Sequence, residues 1–163
     1  MAATITTPRL LLSPLQVSDA SEMEPVLAAG ELYHFTGGSP PSREELERRF
    51  AAQVAGSPNQ GETWHNWIIR LLDGGSVVGF VQATITDEAA EIAWLVGVPW
   101  QRRGIATEAT TALCDWLRSQ GVRSVTAHIH PDHAASARVA GAAGLQPTGE
   151  VDDDGEQVWS SPS

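Results

Sequence analysis

The sequence predicts a single domain of the α/β (α+β) class, with a mixed sheet of seven strands flanked by four helices. A chain of 163 residues is long enough for one domain with a sizeable core. Strand-like and helix-like patterns alternate along it in the order β-α-α-β-β-β-α-β-α-β-β. One apolar run ends at Val96 and leads through a short loop into a helix. We therefore expect residues 1–163 to form one domain with a core from about residue 7 to residue 160.

Turn and capping signals place the boundaries of these elements. Ser42 and Glu45 have the spacing of a capping box, which predicts the start of the second helix. Ser18 or Asp19 is expected to cap the first helix, and residues 73–75 are expected to form a hairpin turn. The predicted strands are 7–15, 65–72, 76–86, 90–98, 122–129, 145–151 and 156–159, and the predicted helices are 18–29, 42–55, 107–120 and 134–143.

The composition argues against several classes of protein. The formal net charge is −10 and all ten basic residues are arginine, which does not favour nucleic-acid binding through a basic patch. No apolar stretch approaches the roughly 20 residues of a membrane span, and the N-terminus lacks the regions of a signal peptide. Cys114 is the only cysteine, so no internal disulfide can form. We expect a cytoplasmic protein without nucleic-acid or membrane partners.

The connection between the central strand and the next helix has the features of an anion site. Gly104 lets the backbone approach a ligand closely, because it has no Cβ. The first N–H groups of the helix, predicted at Arg103 to Thr107, lack intrahelical acceptors, and the macrodipole adds partial positive charge. Arg102 and Arg103 add full charges. A phosphate or pyrophosphate is the ligand that this combination favours.

This connection resembles the acetyl-CoA signature of the GCN5-related N-acetyltransferase (GNAT) superfamily. In that superfamily the pattern Gln/Arg-x-x-Gly-x-Gly/Ala follows a strand, and here it is Gln101-x-x-Gly104-x-Ala106. The order of the predicted elements is similar to the GNAT order over residues 7–160. The resemblance implies the GNAT fold, in which the two central strands splay apart.

Four further motifs are similar to those of the ribosomal-protein alanine N-acetyltransferases, a branch of the superfamily. They are Thr7-Pro8-Arg9-Leu10-Leu11-Leu12, Glu91 at the start of the central strand, Thr107-Glu108-Ala109 and His133-Ala134-Ala135-Ser136. The resemblance implies an N-acetyltransferase with acetyl-CoA as co-substrate and a primary amine as acceptor, either a protein N-terminus or a small molecule. Attack would be direct, without an acyl-enzyme, and no metal is expected. The protein would be a monomer or a homodimer.

The resemblance also implies the site residues. Glu91 is the candidate general base, unless it only lies in solvent or pairs with an arginine. Many members protonate the leaving thiolate with a tyrosine where this chain has Ala140. Ser136 and His133, which replaces the usual asparagine, are therefore the candidate contacts to CoA and the candidate catalytic groups here. The backbone N–H near Val96 would face the thioester oxygen. The other implied contacts to acetyl-CoA are Trp94, Leu95, Val96, Gln101, Arg102, Arg103, Gly104, Ile105, Ala106 and Thr107.

The candidate acceptor contacts are aromatic residues near the predicted site. Tyr33 and His34 lie in the loop after the first helix, and Trp64 and Trp67 lie at the start of the second strand. Aromatic side chains around an open site can hold a substrate, although a tryptophan in a small domain is often a core residue.

Two alternatives differ in class from a transferase. The segment His128-Ile129-His130-Pro131-Asp132-His133 resembles the zinc signature of the metallo-β-lactamase superfamily. However, no histidine follows His133, and that superfamily needs further ligands downstream. The second alternative is a CoA-binding regulatory module without catalysis, which the absence of the family tyrosine leaves open.

Overall fold

The computed structural model describes residues 3–162 as one mixed eight-stranded sheet with helices on both faces. The strand order is β1-β2-β3-β4-β5-β6-β8-β7, and among the strands of residues 3–162 only the pair β5–β6 is parallel. The strands are β1 Ile5–Thr6, β2 Leu10–Pro14, β3 Glu62–Leu71, β4 Val77–Thr86, β5 Ala89–Val96, β6 Ser124–Ile129, β7 Gln146–Val151 and β8 Gln157–Ser160. The helices are α1 Ala20–Val26, α2 Arg43–Ala55, α3 Ile105–Ser119 and α4 Ala134–Ala142.

The sheet has one strand more than predicted, because residues 5–6 form a short strand ahead of the first predicted strand, 7–15, which itself begins only at Leu10. Residues 7–9 form a turn, closed by the Thr7 N–H donating to the Leu10 carbonyl at 2.9 Å. Pro8 has no N–H to donate to a ladder, which suits a turn better than a strand interior. β1 and β2 therefore pair as a short antiparallel hairpin at the edge of the sheet.

The first helix is shorter than predicted, and its predicted cap is wrong. The Asp19 side chain does not cap α1. It is buried and accepts hydrogen bonds from the Gln16 N–H at 2.8 Å and from Arg70 at 3.1 Å. By contrast, the predicted cap of α2 is confirmed, since Ser42 Oγ accepts from the Glu45 N–H at 3.2 Å.

Two apolar clusters lie on opposite faces of the sheet. The larger one packs α3 and α4 against the sheet and includes Leu113, Leu117 and Leu145, as well as Cys114, which is 1% exposed. The smaller one packs α1 and α2 on the other face. Within residues 3–162 no helix has the length and apolar character needed to cross a bilayer.

The feature that positions the site is the gap between β5 and β6. Their pairing is limited to Ala89–Glu91 against Ser124–Thr126. Beyond Glu91 the two strands separate, as the predicted splay of the central strands requires. The gap opens towards the N-termini of α3 and α4, which begin just after β5 and β6, respectively.

Candidate active site

A cleft of about 710 Å³ occupies the gap between β5 and β6. Its walls are formed by β5 and the end of β6, the loop into α3 and the start of that helix, the start of α4, the loop after α1, and Glu156 of the β7–β8 turn. The predicted site residues that line it are His34, Trp94, Leu95, Val96, Gln101, Arg102, Gly104, Ile105, Ala106, Thr107, His133 and Ser136.

The backbone of β5 presents hydrogen-bonding groups to the gap. The Gly97 N–H donates to the Val78 carbonyl of β4 at 2.8 Å. Because backbone groups of an antiparallel strand alternate between its two edges, those of Trp94 and Val96 point away from β4, towards β6. Gln101 ties the loop to this strand end, since its Nε2 donates to the Val96 carbonyl at 3.0 Å. The side chain of Gln101 therefore fixes the position of the loop relative to the end of β5.

The loop ends in a helix N-terminus that faces the cleft. Gly104 has φ +77° and is the N-cap of α3, which begins at Ile105, two residues before the predicted start. The N–H groups of residues 105–107 thus have no intrahelical acceptors. Arg102 also has a positive φ of 65° and lines the cleft. A second arginine that the sequence analysis missed, Arg138 of α4, lines the cleft as well.

Arg9 and Glu108 hold this loop in place, a role that the sequence analysis did not identify. Glu108 in the first turn of α3 accepts from Thr7 Oγ1 at 2.5 Å, from the Arg9 N–H at 3.0 Å and from Arg9 Nε at 2.7 Å. Arg9 in turn donates to the Arg103 carbonyl at 2.8 Å. The turn between β1 and β2 is therefore fastened to the loop that carries Gly104.

The N-terminus of α4 places a serine hydroxyl at the cleft. His133 is the N-cap of α4, and its Nδ1 accepts from the Ser136 N–H at 3.3 Å. Burial and the nearby His130 lower the pKa of His133, so the ring is neutral at pH 7 and carries its proton on Nε2. This N–H donates to Ser136 Oγ at 3.1 Å. The hydroxyl proton of Ser136 is then free to be donated into the cleft.

The loop after α1 covers this corner with aromatic rings. Phe35 stacks on His133 with ring centroids 4.4 Å apart, and His34 packs against Phe35 edge to face at 4.8 Å. Phe35 and His34 both line the cleft. Tyr33, in contrast, turns inward and donates its hydroxyl to the Leu27 carbonyl at 2.7 Å.

The two predicted tryptophans lie elsewhere. Trp67 has no exposed surface and packs in the larger core, with its indole N–H donating to the Ala3 carbonyl at 2.7 Å. Trp64 lies on β3, where its indole N–H donates to Glu62 at 2.9 Å. Neither residue belongs to the cleft lining.

A histidine between two carboxylates lies at the far side of the gap. His128 Nε2 is 3.0 Å from Glu91 Oε1, and His128 Nδ1 is 2.7 Å from Asp152 Oδ2. Glu91 and His128 share the sheet face opposite to α3, because their strand neighbours Ile92 and Ala127 are buried in the α3 core. His128 thus contacts carboxylates, and His133 caps a helix, instead of converging as the zinc-like segment would require.

The acidic turn between β7 and β8 surrounds the Asp152 carboxylate with donors. Asp152 Oδ1 accepts from the N–H groups of Asp154 and Glu156, each at 2.9 Å. The backbone hydrogen bond from Glu156 and the side-chain hydrogen bond from His128 lower the pKa of Asp152. Glu156 lines the cleft, and burial together with the charge of Asp152 raises its pKa.

Comparison with solved structures identifies similar folds across the whole chain. An acetyltransferase of the GNAT family from Bacillus anthracis is 16% identical with a TM-score of 0.82, over 97% of each chain. A Vibrio cholerae protein with the provisional description ribosomal-protein-serine acetyltransferase is 18% identical, TM-score 0.78, over 99% of this chain and 98% of that one. The microcin C7 self-immunity acetyltransferase MccE, solved with acetyl-CoA and AMP, is 16% identical, TM-score 0.78, over 96% and 94%.

The family assignment comes from the sequence comparison. No curated protein sequence gives a significant match. The family model for the acetyltransferase (GNAT) domain matches residues 9–146, which is most of the chain and includes every described residue of the cleft lining except Glu156. The matched segment runs from Arg9, which holds the loop, to the end of α4 and the first residue of β7. The chain therefore belongs to the GNAT acetyltransferase family and is an acyltransferase.

Proposed function

We propose that this protein transfers the acetyl group of acetyl-CoA directly to a primary amine, in the gap between β5 and β6. The observation that carries this proposal is that the gap joins two chemically different ends. Free helix N–H groups and Arg102 lie at one end, and the carboxylates around His128 lie at the other. An anionic cofactor suits the first end, and a cationic amine suits the second.

The residues present fit an acyl-CoA. Gly104 gives the loop its left-handed turn, and the N–H groups of Ile105 to Thr107 would hold the pyrophosphate, with Arg102 and Arg138 nearby. The edge of β5 that faces the gap, with the backbone of Trp94 and the N–H of Val96, would pair with the extended pantetheine arm. The solved complex of MccE with acetyl-CoA supports this assignment by fold.

Three groups would serve the chemistry. The amine arrives protonated and must lose a proton before it can attack, which the pair formed by Glu91 and His128 can accept. A backbone N–H at Val96 would stabilise the charge that develops on the carbonyl oxygen. The Ser136 hydroxyl, whose proton is free, would donate to the departing thiolate, with His133 holding the serine oxygen.

The alternative is a CoA-binding module without catalysis. The position of the family tyrosine, Ala140, is fully buried in this structure, so the residue there donates nothing to the cleft. Our proposal assigns the proton donation to Ser136 instead, one turn earlier in the same helix.

Turnover with a panel of amines tests the proposal. The protein is incubated with acetyl-CoA and polyamines, aminoglycosides, amino acids or short peptides with free N-termini. Thiol release and the mass of the product are then followed. We expect acceptor-dependent thiol release with a matching acetylated amine. Acetyl-CoA binding without transfer to any acceptor would favour the regulatory module.

A further inference from the structure

His128 occupies an unusual position, with a carboxylate on each ring nitrogen. Nε2 lies 3.0 Å from Glu91 and Nδ1 lies 2.7 Å from Asp152. A neutral imidazole has a single N–H, so both contacts can be hydrogen bonds only when the ring carries two protons. The geometry therefore places a carboxylate at each of the two positions where the ring can hold a proton.

The three residues of this arrangement differ in their access to the cleft. His128 belongs to the cleft lining, whereas Glu91 and Asp152 do not. Glu91 has a side chain that is 56% exposed, and its carboxylate has no other hydrogen-bond partner among the described residues, so it can move away from His128. Asp152 is 20% exposed and fixed by two backbone donors. Asp152 therefore holds a proton on Nδ1 in both states of the ring, and the lone pair of the neutral ring is on Nε2.

We propose that His128 Nε2 is the group that takes the proton from the acceptor amine, with Asp152 and Glu91 as positioning residues. The inference rests on the proposed function and corrects the role of Glu91 within it. An incoming ammonium group would replace the direct contact between Glu91 and His128. One of its N–H bonds is donated to Glu91, and another is directed at His128 Nε2.

The reaction balances with these groups. The N–H bond to His128 breaks and its proton moves to Nε2, which leaves the amine lone pair free to attack the thioester carbonyl carbon. A C–N bond forms and the C–S bond breaks. The thiolate receives the hydroxyl proton of Ser136, and the second proton lost by the attacking nitrogen restores that hydroxyl. The His128 proton then passes to solvent, so that one ammonium and one acetyl-CoA give one amide, one thiol and one proton.

The charges around His128 define the expected pH dependence. Glu91 of β5 and Asp152 of the β7–β8 turn contact the ring. The next titratable groups on this side are Glu156 of the same turn and His130, which directly follows β6. Because the proton acceptor must be unprotonated before each turnover, kcat/KM should rise with pH through an acid limb.

The test compares His128→Gln, Glu91→Gln and Asp152→Asn, measured as kcat/KM against pH with an accepted amine. We expect His128→Gln to lower kcat about 10²- to 10⁴-fold and to abolish the acid limb. Glu91→Gln and Asp152→Asn should lose less activity and keep the limb, because each leaves the proton-accepting imidazole of His128 in place. Acetyl-CoA binding by calorimetry should be unchanged in all three.

Two controls make the outcome decisive. His65→Gln replaces a histidine of β3 that stacks near Trp67 and lies outside the cleft, and it should retain full activity. If His128→Gln does not fold, His128→Ala with imidazole in the buffer should recover part of the lost rate. A His128→Gln variant with the wild-type pH profile, or a limb that only Glu91→Gln abolishes, would overturn the inference. Absence of transfer by the wild type would contradict the proposed function itself.

Discussion

At the scale of single residues, the cleft is organised by side chains that orient one another. His133 accepts from the Ser136 N–H with one nitrogen and donates to Ser136 Oγ with the other. Asp152 likewise directs His128. The sequence analysis named Ser136, His133 and Glu91 as site residues, because each belongs to a sequence motif that resembles one of the family. It could not connect Glu91 with His128 or Asp152, since these contacts depend on strand register and on the β7–β8 turn.

Replacing Ser136 tests its assignment as the proton donor. We expect Ser136→Ala to lower kcat roughly 10²-fold, with little change in the dissociation constant for acetyl-CoA, because its hydroxyl proton matters chiefly when the thiolate leaves. Steady-state kinetics and calorimetry separate the two effects. Ser21→Ala, on the exposed face of α1, is the matched control. Equal kcat values for Ser136→Ala and wild type would contradict the assignment.

Replacing the single cysteine tests whether the amine attacks acetyl-CoA directly, without an acyl-enzyme on Cys114. Burial raises the pKa of Cys114 to about 11, so at neutral pH the group is a thiol and not a nucleophilic thiolate. We expect Cys114→Ala to keep wild-type kcat and iodoacetamide to leave the folded protein unmodified at pH 8. An acetylated Cys114 detected by mass spectrometry during turnover would contradict the direct mechanism.

At the scale of elements, most helices and strands could be predicted, but the contacts between distant elements could not. The periodicity and capping signals predicted α2, α3 and α4 to within two residues. The turn at Thr7 to Arg9 was missed because no glycine marks it and the apolar run Leu10 to Leu12 follows directly. These residues were therefore assigned to the same predicted strand, 7–15. Consequently the contact between Arg9 and Glu108, which lie 99 residues apart in sequence, has no local signal.

This contact predicts a pH-dependent loss of stability. Burial opposes ionisation of Glu108, but the hydrogen bonds from Thr7 and Arg9 outweigh it and keep its pKa below the ordinary value of 4.5. Glu108 therefore contributes stability that is present above pH 4.5 and is lost as pH falls through its lowered folded-state pKa. Glu108→Gln should cost about 1 kcal/mol at pH 7, and the difference should shrink in acid.

Thermal unfolding between pH 3 and pH 7 measures this difference. The control is Glu88→Gln, because Glu88 forms an exposed ion pair with Arg123 that should contribute little. The Glu108→Gln variant should also bind acetyl-CoA more weakly, because Arg9 supports the loop through the Arg103 carbonyl. A pH-independent difference in the melting temperature would contradict the assignment.

At the scale of the whole molecule, the fold gives the cleft a positive end and a negative end. The parallel pair β5–β6 separates after three residues, and the helix N-termini and arginines lie on the side of α3 and α4. The side chains of Glu91 and His128 lie on the other face of the sheet. The end around Gly104 therefore suits an anion, whereas the opposite end, in keeping with the net charge of −10, suits a cationic amine.

The most direct test of this account is calorimetric titration of acetyl-CoA into wild type, Gly104→Glu and Gly74→Glu. Both glycines have positive φ, +77° and +84°, so the two substitutions strain the backbone alike, but Gly74 lies in the β3–β4 turn away from the cleft. We predict micromolar binding for wild type and Gly74→Glu, and loss of binding for a folded Gly104→Glu, whose carboxylate occupies the pyrophosphate position. Absence of binding to wild type, or equal binding to Gly104→Glu, would contradict the account.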